Sequence, residues 1–207
     1  MQAAPAMDEK LTWRQWAGFM SMVVGMFMAI LDIQIVSASI AEVQAGLSAS
    51  SDEVAWVQTS YLIAEIVMIP LSGWLSRLLS TRVLFTASAL GFSLFSLLCA
   101  FATGLGPMVV FRAAQGFIGG AMIPMVFATS FLLFPGARRG PVTVLIGLTA
   151  TLAPTIGPSL GGWLTEQFSW HWLFLINVPI GLAISAGVWA FLDIDKPDFS
   201  LLKRFDA

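Results

Sequence analysis

Six long apolar stretches separated by short polar ones organise this chain. They run from Trp13 to Ala41, Val54 to Trp74, Val83 to Ala102, Pro107 to Phe134, Pro141 to Leu164 and Trp170 to Leu192. Each reaches or exceeds the ~20 residues that a helix needs to cross a bilayer. The pattern predicts an all-α membrane protein with six transmembrane helices over 13–192. A polar, Pro/Ala-rich tail over 1–12 precedes them, and a charged linker over 193–207 ends abruptly after Lys203-Arg204-Phe205-Asp206. Ser37-Ala38-Ser39 resembles a cleavage site. The apolar run before it exceeds the ~7–15 residues of a signal-peptide core, so it reads as the small-residue end of a retained helix. Trp13, Trp16, Trp56, Trp74, Trp163, Trp170 and Trp172 fall near segment ends, as an interfacial aromatic belt predicts.

Composition agrees. Of 207 residues, 57% are hydrophobic and 11% charged, against about 25% charged in soluble domains. The single Cys99 excludes an internal disulfide. The placement of basic residues says more than the net charge of −2. Lys10 and Arg14, Arg77 and Arg82, Arg138 and Arg139, and Lys196, Lys203 and Arg204 fall on one side if six helices alternate. The loops Glu42–Glu53, Thr103–Gly106 and Thr165–Ser169 hold no Lys or Arg. Both termini are therefore expected in the cytoplasm.

The tenth basic residue, Arg112, lies within the fourth stretch, and Asp32 lies at a similar depth in the first. An unpaired charge there costs at least ~2.5–3.5 kcal/mol, so the two are expected to pair. A helix–helix clamp and a direct transport role both remain open readings of that pair. Glu65 sits mid-way along the second stretch, where burial favours a neutral acid able to exchange a proton. The alternative is a core Glu hydrogen-bonded to Gln34 or Gln115. Pro70 predicts a kink in the same helix.

The fifth stretch holds Ala153-Pro154-Thr155-Ile156-Gly157-Pro158-Ser159-Leu160-Gly161-Gly162. Gly157 and Gly161 share a helix face and let another backbone approach. Pro154 and Pro158 each remove a ladder donor, and Thr155 and Ser159 are placed to take up freed carbonyls. A bent helix with a smooth face, suited to rocking against a partner, is expected. The methionines, Met20, Met22, Met26 and Met28 among them, read as lipid-facing or core filler, adaptable enough to line a pocket for varied ligands. His171, the one histidine, reads as a headgroup contact beside Trp170 and Trp172.

That fifth-helix run resembles the antiporter motif g-x-x-x-G-P-x-x-G-G of drug/proton antiporters in the major facilitator superfamily, with Ala153 for the first glycine. Arg112-Ala113-Ala114-Gln115-Gly116 resembles the superfamily's fourth-helix motif R-x-x-q-G. Gly73 to Arg82 resembles its loop motif G-x-L-a-D-r-x-G-r-k, with Arg77 in place of the acid and Ser80 in place of the second glycine. Leu31-Asp32-Ile33-Gln34-Ile35-Val36 resembles the first-helix motif l-D-x-T-i-v of the fourteen-helix branch. Trp170 to Gly181 resembles that branch's sixth-helix opening, with His171 where Arg is common. Taken together, the matches are similar to the N-terminal half of an EmrB/QacA-type multidrug efflux permease.

The resemblance implies a six-helix bundle built as a 3+3 inverted repeat, although no residue-level repeat joins Trp13–Ala102 to Pro107–Leu192. It implies proton-coupled export of lipophilic or cationic compounds across the cell inner membrane, with membrane lipids as surroundings. Asp32, Glu65, Arg112, Gln115 and Gln34 would form the proton and substrate pathway. Pro154, Gly157, Pro158, Gly161 and Gly162 would carry conformational change, and Gly73, Arg77 and Arg82 the loop motif. A periplasmic adaptor and an outer-membrane channel are partners that this branch often uses. No P-loop, metal-ligand cluster or nucleophile triad is present, so no enzyme activity, metal, cofactor or nucleic-acid partner is expected. The rival readings are the permease subunit of an ATP-driven pump and a membrane-embedded enzyme.

Overall fold

The computed structural model describes residues 11–199. The tail 1–10, which includes Lys10, and Lys203 and Arg204 of the linker lie outside the described residues. Nine α-helices and no strand occur among the described residues: α1 Trp13–Ala38, α2 Ile40–Leu47, α3 Ser51–Leu79, α4 Thr81–Ala100, α5 Leu105–Gly119, α6 Met122–Leu133, α7 Arg139–Gln167, α8 Trp172–Leu175 and α9 Asn177–Phe191. They make six spans long and apolar enough to cross a membrane, the fourth being α5 with α6 and the sixth α8 with α9.

Several boundaries differ from the hydropathy pattern for local reasons. The second span starts at Ser51, before the apolar run, because Ser50 and Glu53 form a capping box that satisfies the first-turn amides. The preceding loop holds α2, set off from α1 at Ser39, where the backbone leaves the helical region. The breaks in the fourth and sixth spans follow from proline. Pro124 deprives the carbonyl of Gly120 of its helical donor, and Pro179 deprives that of Leu175, each at a break between helices. The third span by hydropathy, Val83–Ala102, shifts to Thr81–Ala100. In α3 and α7, by contrast, the helix runs on through Pro70, Pro154 and Pro158. The hydroxyl of Thr155 donates to the Thr151 carbonyl at 2.9 Å, not to the Ala150 carbonyl that Pro154 frees.

The packing order carries the repeat that the residues do not. α1 packs on α7 and α9, α5 packs on α3 and α4, and α4 packs on α9. Exchanging first with fourth span, second with fifth and third with sixth maps this set of neighbours onto itself. That is the arrangement of two inverted triple-helix repeats. Two glycine seams occupy exchange-related places. In one, Gly116 of α5 and Gly120, which follows that helix, lie against the α3 backbone; a Cβ on Gly120 would come 2.9 Å from the Glu65 carbonyl. In the other, a Cβ on Gly157 of α7 would meet Gln34 Cβ at 2.5 Å, and one on Gly161 would meet the Ile35 carbonyl and Ser39 Oγ at 2.9 Å. The smooth α7 face is thus filled by α1 inside the bundle and is not left bare for an outside partner.

Basic residues gather at one end. Arg14 donates to the Ala190 carbonyl, Arg82 stacks 4.6 Å over Trp189, and the Asp198 amide donates to the Arg77 carbonyl. After α9 the chain turns under this end, and Asp195 accepts from Thr81 N at 2.9 Å and Thr81 Oγ1 at 2.7 Å, capping α4. At the opposite end Trp170 departs from the expected aromatic belt. It is buried, stacked on His171 at 3.9 Å and pressed against Gly46. Met22, Met26, Met28, Met108 and Met122 are core filler, all fully or nearly fully buried.

Candidate functional site

The apolar core is split in two. One cluster, including Phe19, Met26, Phe85 and Met122, lies toward the basic end; the other, including Ile35, Val57, Met108 and Phe174, lies toward the opposite end. Between them runs a polar layer to which five of the six spans contribute. Asp32 stands six residues before the end of α1, and Arg112 seven residues into α5, each about 10 Å from its helix end at ~1.5 Å per residue. Antiparallel packing therefore brings them level.

Both are 0% exposed, and Arg112 Nη1 donates to Asp32 Oδ2 at 2.6 Å. The same nitrogen donates to Gln115 Oε1 at 2.8 Å, one helical turn on. Arg112 Nε donates to the Val57 carbonyl at 3.3 Å, and Nη2 to Gln58 Oε1 at 3.4 Å. The guanidinium lies 4.2 Å from the centre of the Tyr61 ring. An arginine suits this place because its fixed fork of donors can meet several acceptors at once. The other carboxylate oxygen, Asp32 Oδ1, accepts from Asn177 Nδ2 at 2.7 Å. That amide also donates to Ser96 Oγ at 3.0 Å, and Ser96 in turn donates to the Phe174 carbonyl at 2.9 Å. Every bond made by the carboxylate is charge-assisted, the stronger kind.

Of the residues singled out from the sequence, Asp32, Arg112 and Gln115 come together. Gln34 and Glu65 do not join them. Gln34 packs its Cβ on Gly157, and the Glu65 carboxyl makes no hydrogen bond to Gln34, Gln115 or any other described residue. Glu65 is 8% exposed, one helical turn along α3 from Tyr61. Gly73, Arg77 and Arg82 lie at the basic end, away from the ion pair. Gly73 has open space beside it, and Ser80 holds the glycine-like φ of 76°. Pro154, Pro158 and Gly162 face outward from α7 while Gly157 and Gly161 face α1.

Sequence reasoning assigned no part to Asn177, Ser96, Gln58 or Tyr61. Signals for them exist. Asn177 is the one asparagine of the chain and Tyr61 the one tyrosine, each inside an apolar run. Gln58, Tyr61 and Glu65, at i, i+3 and i+7, form a polar stripe on one face of α3. Two buried polar atoms beside the ion pair, Tyr61 Oη and Gln115 Nε2, have no hydrogen-bond partner among the described residues. No group of His, Cys, Asp and Glu able to hold a metal occurs among the described residues.

Six spans arranged as two inverted triplets, with a sealed ion pair between two core halves, form a bundle of the kind from which secondary transporters are built. Comparison with known proteins identifies the family. The Major Facilitator Superfamily profile matches residues 22–205, and the chain belongs to that superfamily. It is 53% identical over 191 residues, 92% of this chain and 37% of the relative, to the Colistin resistance protein EmrB of Acinetobacter baumannii. It is 37% identical over 173 residues to the Fatty acid resistance protein FarB of Neisseria gonorrhoeae, covering 84% of this chain and 34% of that one. With the Multidrug export protein EmrB of Escherichia coli K12 it shares 35% over 158 residues, 76% of this chain and 31% of that one. The chain spans about a third of the length of the curated relatives it matches.

Proposed function

We propose that this bundle is the N-terminal half of a carrier that exports lipophilic, in part cationic, compounds across the inner membrane in exchange for protons. The observation that carries the reading is the sealed Asp32–Arg112 pair at 2.6 Å. Two buried charges cost more in desolvation than their attraction reliably returns, so such a pair is poor at stabilising a fold. Inside a membrane bundle a carboxylate whose partner can be traded for a proton is a coupling device. In this reading a proton that adds to Asp32 leaves a neutral acid, the guanidinium loses its counter-charge, and the bundle changes its preference between inward- and outward-open arrangements. Glu65, nearly buried and without a hydrogen-bond partner among the described residues, is the second proton carrier. Gln34 and Gln115 line the pathway. The Pro154, Gly157, Pro158, Gly161 and Gly162 face lets α7 move on α1. Gly73, Arg77 and Arg82 lie on the cytoplasmic side with both ends of the chain, as the basic residues require.

The names of the similar proteins, which speak of colistin resistance, fatty acid resistance and multidrug export, support an amphiphilic cargo. A periplasmic adaptor and an outer-membrane channel are the proposed partners. The test is uphill accumulation of a fluorescent lipophilic cation in proteoliposomes under an imposed pH gradient. The chain alone should give none. Co-reconstituted with the remaining two thirds of the A. baumannii relative it should give accumulation, and Asp32→Asn should abolish it. Uphill accumulation by the Asp32→Asn variant removes Asp32 from coupling, and uphill accumulation by the isolated chain overturns the half-carrier reading.

A further inference from the structure

The Asp32 carboxylate is held from two sides by unlike groups: a cation on α5 and a neutral amide on α9. The direction of each bond on the amide side is forced. A carboxylate only accepts, so Asn177 must present its NH2 group to Oδ1. Ser96 has one hydroxyl proton and gives it to the Phe174 carbonyl, so it must accept the second Asn177 proton. Both amide protons are therefore spent, and the Asn177 side chain cannot turn without losing two buried bonds. Asp32, Ser96 and Asn177 are 0–1% exposed, so water does not replace them.

We propose that Asn177, oriented by Ser96, is a positioning residue that keeps Asp32 in place through both halves of its proton cycle. This rests on the reading of Asp32 as a proton carrier. When a proton adds to Oδ2, the attraction to Arg112 Nη1 is lost, because a neutral acid has no charge to offer and its O–H points a donor at a donor. The carbonyl oxygen of the same acid still accepts from an amide. The Asn177 bond thus survives the step that breaks the ion pair, as a neutral bond of about half the charge-assisted strength. Without it the acid is free to turn about two side-chain torsions, since no other described side chain donates to Asp32. With it Oδ2 stays aimed at Arg112 and the pair re-forms when the proton leaves. Asn177 is also the first residue of α9, just past the break at Ile176, so the bond ties Asp32 to the sixth span.

The test is infrared difference spectroscopy of the 207-residue chain in lipid nanodiscs as pH is lowered. The carbonyl stretch of protonated Asp32 is identified as the band that Asp32→Asn removes. In Asn177→Leu, which keeps the branched heavy-atom outline and deletes the donor, the band should move to higher wavenumber, the direction for a carbonyl released from a hydrogen bond. Asn177→Ala, which deletes the amide without adding bulk, decides the matter should the leucine variant fail to fold. A band at the wild-type position in either folded variant overturns the positioning role and leaves the proton-carrier reading standing. Absence of any Asp32 band in the wild-type chain overturns both.

Discussion

Replacing Arg112 by Gln removes the one cation facing Asp32 and leaves the carboxylate with a single donor, Asn177 Nδ2. Replacing Asp32 by Asn leaves the guanidinium far better served. It retains Gln115 Oε1 at 2.8 Å, the Val57 carbonyl at 3.3 Å, Gln58 Oε1 at 3.4 Å and the Tyr61 ring at 4.2 Å. The two substitutions should therefore differ in cost although they delete the same pair. Arg112→Gln strands a buried charge, a loss of about 3–5 kcal/mol. Asp32→Asn loses one charge-assisted hydrogen bond, about 1.5–3 kcal/mol. In the double variant no charge remains to be stranded, so its cost should fall below the sum of the singles by up to ~3 kcal/mol, the upper range for residues in one network. The assay is reversible SDS unfolding of the chain from mixed micelles, followed by the fluorescence of its eight tryptophans. Costs that add to within about 0.3–0.5 kcal/mol would mean that the two residues do not share a site. Asp32→Asn costing more than Arg112→Gln would refute the account of how each charge is compensated.

Four further outcomes follow from the same geometry. Reporter fusions after Leu47, Gly104 and Glu166 should be active only outside the cell and fusions after Arg77 and Arg139 only inside; the reverse pattern removes the topology. Glu65→Gln, in a carrier completed by a second bundle, should abolish proton-driven efflux without impairing insertion, and normal uphill export by it would take Glu65 out of the coupling path. Gly157→Leu should force α7 off Gln34 and cost about 1–3 kcal/mol or more in SDS unfolding, since the seam has no room for a side chain, and an unaltered midpoint would mean that the seam yields freely. Ser80→Gly should stabilise the chain by roughly 1 kcal/mol, because relief of a φ of 76° at ψ 152° outweighs a weakened cap and a more flexible unfolded chain; a lower unfolding midpoint would show that the cap on Val83 dominates.

Spans, their number and the pairing of Asp32 with Arg112 were legible because each follows from the cost of placing polar groups in hydrocarbon. Twenty apolar residues announce a span, and one acid and one base at matching depth announce each other. The breaks after Gly119 and before Asn177 were missed because hydropathy is blind to them. Pro124 and Pro179 carried that signal, and the same residue type at positions 70, 154 and 158 leaves the helix continuous, so proline alone does not decide. The alternative reading of Glu65, a carboxyl bonded to Gln34 or Gln115, is not met, because those amides are engaged elsewhere, at the α7 seam and by Arg112. Asn177 escaped notice because its partners lie 145 and 81 residues away, on α1 and α4, and only packing places them side by side. The inverted repeat likewise resides in which helices touch, and residue identities need not repeat for that.

The polar layer also separates what is fixed from what is not. It takes a side chain or carbonyl from α1, α3, α4, α5, and from α8 with α9: Asp32, Val57, Gln58, Ser96, Arg112, Gln115, Phe174 and Asn177. α7 gives nothing to it. Among the described residues the threonine hydroxyls of α7, those of Thr143, Thr149, Thr151, Thr155 and Thr165, bond only to carbonyls of α7 itself. α7 meets α1 in close van der Waals contact along the glycine seam, where the Ile35 carbonyl and Ser39 Oγ lie nearest Gly161 and Ser39 Oγ is buried without a hydrogen-bond partner among the described residues. Sliding α7 on α1 breaks no hydrogen bond between spans and strands no charge, whereas moving any other span on α1 tears the network. In the reading proposed above, α7 is the span whose displacement disturbs the network least, and it is the helix that carries Pro154, Pro158 and the small-residue face. The position of the antiporter-like motif thus follows from the charge layer: the motif falls on the one span from which the ion pair asks nothing.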